Sequence, residues 1–149
     1  MTHIRAWNNS NRRELFQSRS SDSGKTWSIP HSIGVNGFPS HLIRLKDRRL
    51  VMTYGHRRRP LGIQARISED NAQTWSEKII LSGDGTSTDV GYPSSVQLDD
   101  GSVLTAWYEL MGSWHGDAKH YHEINRDEEW FKITEGLRAV LRQTRWSIQ

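Results

Sequence analysis

Side chains able to bind ions or shift protons gather at three places in this 149-residue chain. The first holds His115, Asp117, His120, His122 and Glu123, where the His120-x-His122 pair could in principle grip a divalent ion through imidazole nitrogens. No known metal-binding pattern surrounds them, so the stretch reads as a solvated insertion and neither a metal nor another cofactor is expected. The second place is basic, with Arg44, Arg48 and Arg49 followed by His56-Arg57-Arg58-Arg59. Arg48 and Arg49 fall in a polar turn and read as solvated charge. The His56-to-Arg59 segment follows a strand end and precedes Pro60-Leu61-Gly62, and two readings stand there side by side: a solvated loop or a ligand contact. Basic clusters read as nucleic-acid sites when they form a continuous stripe or belong to a recognised module, and neither is visible here. In the third place, Asp89 lies in the 83–91 loop leading into Tyr92, either as a turn former or reaching the same face as Tyr92. His41, at the start of a strand, points into a channel or satisfies a core hydrogen bond, and Arg66 reads as structural.

The elements that position these residues announce themselves by repetition. Ser20-Ser21-Asp22-Ser23-Gly24-Lys25-Thr26-Trp27 returns as Ser68-Glu69-Asp70-Asn71-Ala72-Gln73-Thr74-Trp75, both reading S-x-D-x-(G/A)-x-T-W. The copies lie about fifty residues apart, a spacing typical of solenoids, propellers and arrays. Ser and Asp side chains accept bonds from nearby backbone N–H groups and hold a tight loop, and a small fifth residue tolerates an unusual backbone angle. Each tryptophan is expected to leave its turn and bury a ring of about 150–250 Å² between neighbouring sheets. Ala72, standing where the first copy has glycine, predicts a turn that either avoids a positive φ or carries strain.

A second feature shares the period. Residues 40–45, the turn Lys46-Asp47-Arg48-Arg49 and residues 50–55 read as strand, turn and strand, and residues 94–98, Asp99-Asp100-Gly101-Ser102 and 103–109 repeat the plan. Blade by blade, residues 1–37 supply the end of one unit (strands at 14–19 and 27–33). Residues 38–82 form a full four-stranded unit, with later strands at 63–67 and 76–81. Residues 83–149 form an incomplete unit, interrupted by an insertion at 112–136 and resumed at 141–148. Apolar residues Trp130, Ile133, Leu137 and Val140/Leu141 fall three or four apart, which predicts a short helix in or after the insertion.

The two turns resemble the Asp box of sialidases and related bacterial-neuraminidase-repeat proteins, and the likeness runs from about Arg13 to Glu109, with a weaker continuation at 141–148. The resemblance implies an all-β, six-bladed β-propeller, of which this chain would supply about two and a half blades, where closed propellers have about 4–8. In that family the Asp box joins the third and fourth strands of a blade, far from the catalytic face. Members clamp a sugar carboxylate with three arginines, whose planar guanidinium groups pair bidentately with carboxylates. An aspartate serves as acid/base, and a tyrosine activated by a glutamate attacks the anomeric carbon, outside the usual two-carboxylate scheme. The segment Gly91-Tyr92-Pro93-Ser94-Ser95-Val96-Gln97-Leu98-Asp99-Asp100-Gly101, ending in Trp107-Tyr108-Glu109, is similar to a late-blade stretch of sialidases. By that likeness Tyr92 is the candidate nucleophile or sugar contact, Glu109 and Asp89 are its candidate catalytic neighbours, and Arg57, Arg58, His56 and His41 are candidate substrate contacts. Phe38-Pro39-Ser40 occupies a similar place one unit earlier, so repeat architecture is an open alternative for the Tyr92-Pro93 element. The family's amino-terminal arginine motif and acid/base aspartate have no match in the chain.

An open arc of blades leaves strand edges without partners, and exposed edges invite pairing. The expected partners are therefore a carbohydrate ligand and either further blades or other copies of the chain, with the function that of a sialidase-like hydrolase or its carboxy-terminal part. A non-catalytic module binding carbohydrate or protein, and a remnant with only its fold, are the alternatives. Cysteine is absent, which removes disulfide and thiolate chemistry, and the net charge is +3. No apolar run is long enough to span a membrane and no signal segment follows Met1, so no membrane partner and a cytoplasmic location by default are expected.

Overall fold

The computed structural model describes residues 1–5, 14–111 and 138–148. Ten strands make three antiparallel sheets, and no helix occurs among the described residues. Sheet 1 has the order β1 (Thr2–Arg5), β2 (Glu14–Ser18), β3 (His31–Asn36). Sheet 2 runs β4 (Ser40–Arg44), β5 (Leu50–His56), β6 (Gly62–Ser68), β7 (Ile79–Ile80). Sheet 3 comprises β8 (Val90–Gln97), β9 (Val103–Met111) and β10 (Arg138–Trp146), with β9 in the middle.

Sheet 2 lies between the others, and its strands show it. Successive residues on a strand face opposite ways, yet six of the seven residues of β5 are buried because both faces are covered. Met52 and Tyr54 pack with Leu15, Val35 and Phe38 on the sheet 1 side. Val51, pointing the other way, packs with Leu45 and Val103, and Ile63 of β6 meets Val90 and Trp107. A buried polar seam also crosses to sheet 3: Thr53 Oγ1 and Ser95 Oγ lie 3.0 Å apart, as do Ser95 Oγ and Thr105 Oγ1, and Trp146 Nε1 donates to Thr105 Oγ1. Gly55 sits at a tight junction of sheets 2 and 3, since a Cβ there would lie 3.0 Å from Gly91 Cα and from the carbonyl oxygens of Phe38 and Val90.

The repeat is physical as well as textual. In the β4–β5 hairpin Leu45 N donates to Arg49 O and Asp47 Oδ1 accepts from Arg49 N; in β8–β9 Leu98 N donates to Ser102 O and Asp100 Oδ1 accepts from Ser102 N. Arg48 takes φ 77° where Gly101 takes 88°. Both Asp boxes close alike: Ser20 and Ser68 hydroxyls accept from Gly24 N and Ala72 N, while Asp22 and Asp70 accept from the backbone N–H and hydroxyl of Thr26 and Thr74. These bonds to the charged form hold the Asp22 carboxyl at about 2 and push that of Asp70 lower still.

At Ala72 the second alternative holds: its φ of 63° matches the left-handed residue of the first copy, so the turn keeps the positive angle and bears its strain. Several other expectations need correction. Trp75 packs against the core between sheets 1 and 2, but Trp27 remains 48% exposed and donates its Nε1–H to Gly24 O within its own turn, because no sheet among the described residues covers its side. β1, four residues without an apolar alternation, lies where the sequence predicts no strand, and β3 starts at His31, not at residue 27. β7 shrinks to two residues, β8 begins at Val90 so that Tyr92 lies inside the strand, and β10 begins at Arg138. Val140 and Leu141 do not continue a helix: both are strand residues, as the strand read at 141–148 expects for Leu141, while Trp130, Ile133 and Leu137, with the His115–Glu123 stretch, lie outside the described residues.

Candidate functional site

Strand direction divides the molecule into two ends. β2 and β6 run into the Asp boxes, and the two hairpin turns lie at that same end. The loops after β3, β5 and β7 open at the other. Arg5, which pairs with Leu15 at the far end of β1, His56, Arg57, Arg58, Asp89, Tyr92 and Glu109 all belong to this second end. The β-ladders thus bring together residues scattered over a hundred positions of sequence.

Phe38 is the hub on the sheet 1 side. Arg5 lies over its ring at 4.4 Å from the centroid and Arg57 at 5.7 Å, so two guanidinium groups share one aromatic surface, a favourable cation–π arrangement. Arg57 is further held by an Nε–H bond of 3.0 Å to Val90 O. Burial lowers its affinity for the proton, Asp89 acts against this, Arg5 acts with it and Tyr92 opposes it. Guanidinium stays charged regardless, so the Phe38 side of this end carries two fixed positive charges. Asn36, Gly37, Phe38, Arg57 and Arg58 line a shallow open depression beside the ring.

On the sheet 3 side, the β8–β9 ladder shifts register between Gly91 and Ser94, and Tyr92 in that bulge has φ 51° and a side chain left 60% exposed. A positive φ on a bulky residue is a genuine outlier. The preceding residue, Gly91 at φ 150°, sits against Pro39 and Arg57. The Tyr92 ring lies 5.7 Å from that of Tyr108, whose hydroxyl donates to Asp89 Oδ1. Asp89 is anchored through its own carbonyl, which accepts from Leu110 N at 2.9 Å.

Glu109 is not brought to Tyr92. Adjacent strand residues face opposite sides, so Glu109 turns away from Tyr108 into the interior, where it is fully buried and its Oε2 accepts from Arg142 Nη1 at 2.9 Å. Arg142 also grips Asp84 with two bonds of 3.0 and 2.9 Å, and the bond to Arg142 holds the Asp84 carboxyl at about 2. His41 lies between sheets, its Nδ1 accepting from Ser95 N at 3.2 Å. His56 donates from Nδ1 to Pro60 O at 2.9 Å within its own loop. Arg66 donates to Ser76 O and to the Tyr54 hydroxyl. No group of three metal-ligating side chains occurs among the described residues.

Arg5, Asp84, Tyr108 and Arg142 escaped the sequence reading. Tyr108 carried a usable signal, since it sits directly before Glu109 on an alternating strand. Arg5 and Arg142 carried none, because only sheet pairing brings them to this end.

An all-β array of three antiparallel sheets, with two Asp boxes closed alike, defines a class of repeat β proteins. A profile of the BNR repeat-like domain matches residues 1–104, and the chain belongs to that family. It is 28% identical to a sialidase of Clostridium perfringens over 122 aligned residues, covering 61% of this chain and 32% of that protein. A crystal structure of a protein of unknown function from Dyadobacter fermentans matches with a TM-score of 0.64 and 39% identity, covering 72% of this chain and 29% of the other. The chain therefore spans about a third of the length of these relatives.

Proposed function

We propose that this chain contributes to a sialidase-like glycoside hydrolase acting on the terminal bond of an anionic sugar, its sheets forming part of a six-bladed ring. The observation that carries the reading is the exposed Tyr92, held in a left-handed backbone conformation beside Arg57 and the Tyr108–Asp89 pair. Backbone outliers of this kind cluster at functional sites. Arg57, with Arg5 and Arg58, supplies the positive field for a sugar carboxylate. Tyr92 presents its phenol to the sugar, and Asp89 is the carboxylate that accepts from the neighbouring Tyr108 hydroxyl. Glu109 serves from behind the sheet through Arg142. His56 shapes the loop bearing the arginines, and His41 fixes the strand beside Tyr92.

A fluorogenic sialoside assay, paired with ligand-observed NMR of sialic acid on the folded chain, tests this. Tyr92→Phe is expected to leave binding within about twofold while cutting hydrolysis about 10³-fold or more, as loss of a group used only in the transition state does. Arg57→Ala is expected to abolish binding. Binding without hydrolysis in the parent chain would favour a carbohydrate-binding module, and a folded chain that neither binds nor hydrolyses would sink both readings.

A further inference from the structure

We propose that Arg142 is a positioning residue that fixes the 82–89 loop and so holds Asp89 against Tyr108. This rests on reading the Asp89–Tyr92–Tyr108 group as the functional end. Arg142 belongs to β10, yet its fork closes on Asp84 through two bonds, of 3.0 and 2.9 Å, while Nη1 also donates to the buried Glu109. Its guanidinium lies 5.5 Å from the Trp107 ring centroid, so the fork is set in a plane before the loop meets it. The loop is pinned around that contact: Ser82 Oγ donates to Asp84 Oδ1, and Gly85 N donates to Leu61 O at 2.9 Å. A Cβ at Gly85 would lie 2.9 Å from Leu61 O and 3.0 Å from Glu109 Oε1, so the loop is pressed onto the buried carboxylate. Glu109 Oε1 itself has no hydrogen-bond partner among the described residues. Arg142 is thus the counter-charge for the buried Glu109 carboxylate, and its Nη1 and Nη2 also hold the loop that ends in Asp89. A bidentate arginine–carboxylate pair adds geometric specificity as well as attraction. Lysine, a point charge, would keep the first role and lose the second.

The test reads Tyr108 directly. Tyrosine ring-carbon NMR signals are recorded on the full chain and assigned with Tyr108→Phe. Asp89→Asn defines the signal of a Tyr108 that has lost its carboxylate acceptor. Asp84→Asn leaves the Arg142–Glu109 pair intact, and Arg142→Lys keeps a cation beside Glu109, so both variants retain the buried charge balance. In each, the Tyr108 signal is expected to move most of the way from its parental position toward that of Asp89→Asn, and Asp84→Glu to move it back. A Tyr108 signal unchanged in folded Asp84→Asn and Arg142→Lys overturns the proposal. Sialic acid titrations of the same variants separate this from the functional reading. A moved Tyr108 signal with no sugar binding even in the parent chain upholds the positioning role and removes the sialidase-like assignment.

Discussion

Single residues in this protein show backbone geometry overriding side-chain preference. Arg48, Ala72 and Tyr92 all take left-handed angles that favour glycine. The three sit in different settings. Arg48 lies in a hairpin whose twin uses Gly101, Ala72 in an Asp box whose twin uses Gly24, and Tyr92 in the β8–β9 bulge, next to a Gly91 that sits against Arg57 and Pro39. Arg48 is exposed, so replacing it with glycine removes strain without losing buried surface. Arg48→Gly is expected to raise stability by about 1 kcal/mol, read as a higher urea midpoint at unchanged slope. No gain would mean that the hairpin relaxes in solution to a conformation open to any residue. Repetition made the Ala72 strain half legible in sequence, because a glycine stood in the other copy. Tyr92 gave no such warning: its angle depends on the neighbouring sheet.

At the scale of elements, close approach between sheets is the controlling feature. The sequence announced hairpins and boxes because their hydrogen bonds run between residues a few positions apart. It was silent on β1 and on the true starts of β8 and β10, where pairing partners lie far along the chain. Gly55 marks the consequence. Its α-hydrogens face backbone atoms of sheet 3 and of the β3–β4 connection, which cannot swing aside as a flexible side chain would. Gly55→Ala is expected to cost about 1–3 kcal/mol, the usual penalty of overpacking, and to shift amide signals of Gly91 and Val90 more than those of the Asp boxes. A neutral substitution would show that the junction between sheets 2 and 3 has slack that the packed geometry does not suggest.

Across the whole molecule, titration sums over separated sites. The carboxyls of Asp22 and Asp84 are lowered from 3.8 to about 2, and that of Asp70 further, chiefly by hydrogen bonds to Thr26, Arg142 and Thr74 respectively. A carboxyl whose folded pKa is depressed contributes in full above its unfolded value and loses that contribution as pH falls through the folded one. His3 acts earlier. Burial lowers its pKa below 6.5, partly offset by its bond to Gln17, so its protonation begins to disfavour the fold as pH drops past about 6.5. The urea midpoint is expected to be level between about pH 7 and 9, to decline gently through pH 6 and to fall steeply between about pH 4 and 2; above about pH 10 the buried Tyr54 phenol, its pKa raised by burial, lowers it again. His3→Gln should remove only the gentle limb, and a profile flat to about pH 2.5 would contradict the Asp-box account.

The terminal sheets give the molecule a second global property. Trp27 and Ile29 stand exposed beyond sheet 1, while Val96 and Leu141 stand exposed on sheet 3. Light scattering is expected to show a mass that rises with concentration as these surfaces find partners. A strictly monomeric, cooperatively unfolding chain would contradict that expectation.

The sequence by itself determined the all-β character, the period, both Asp boxes and both polar hairpins, together with the family they belong to, because each is written in local hydrogen bonding and in residue types repeated at a fixed spacing. Tertiary structure alone decided that Tyr108 meets Asp89 while Glu109 turns inward to Arg142, and that Arg5 joins Arg57 around Phe38. Those contacts join residues on different strands and sheets, and their partners follow from register, bulge and strand direction, which no short stretch of sequence contains.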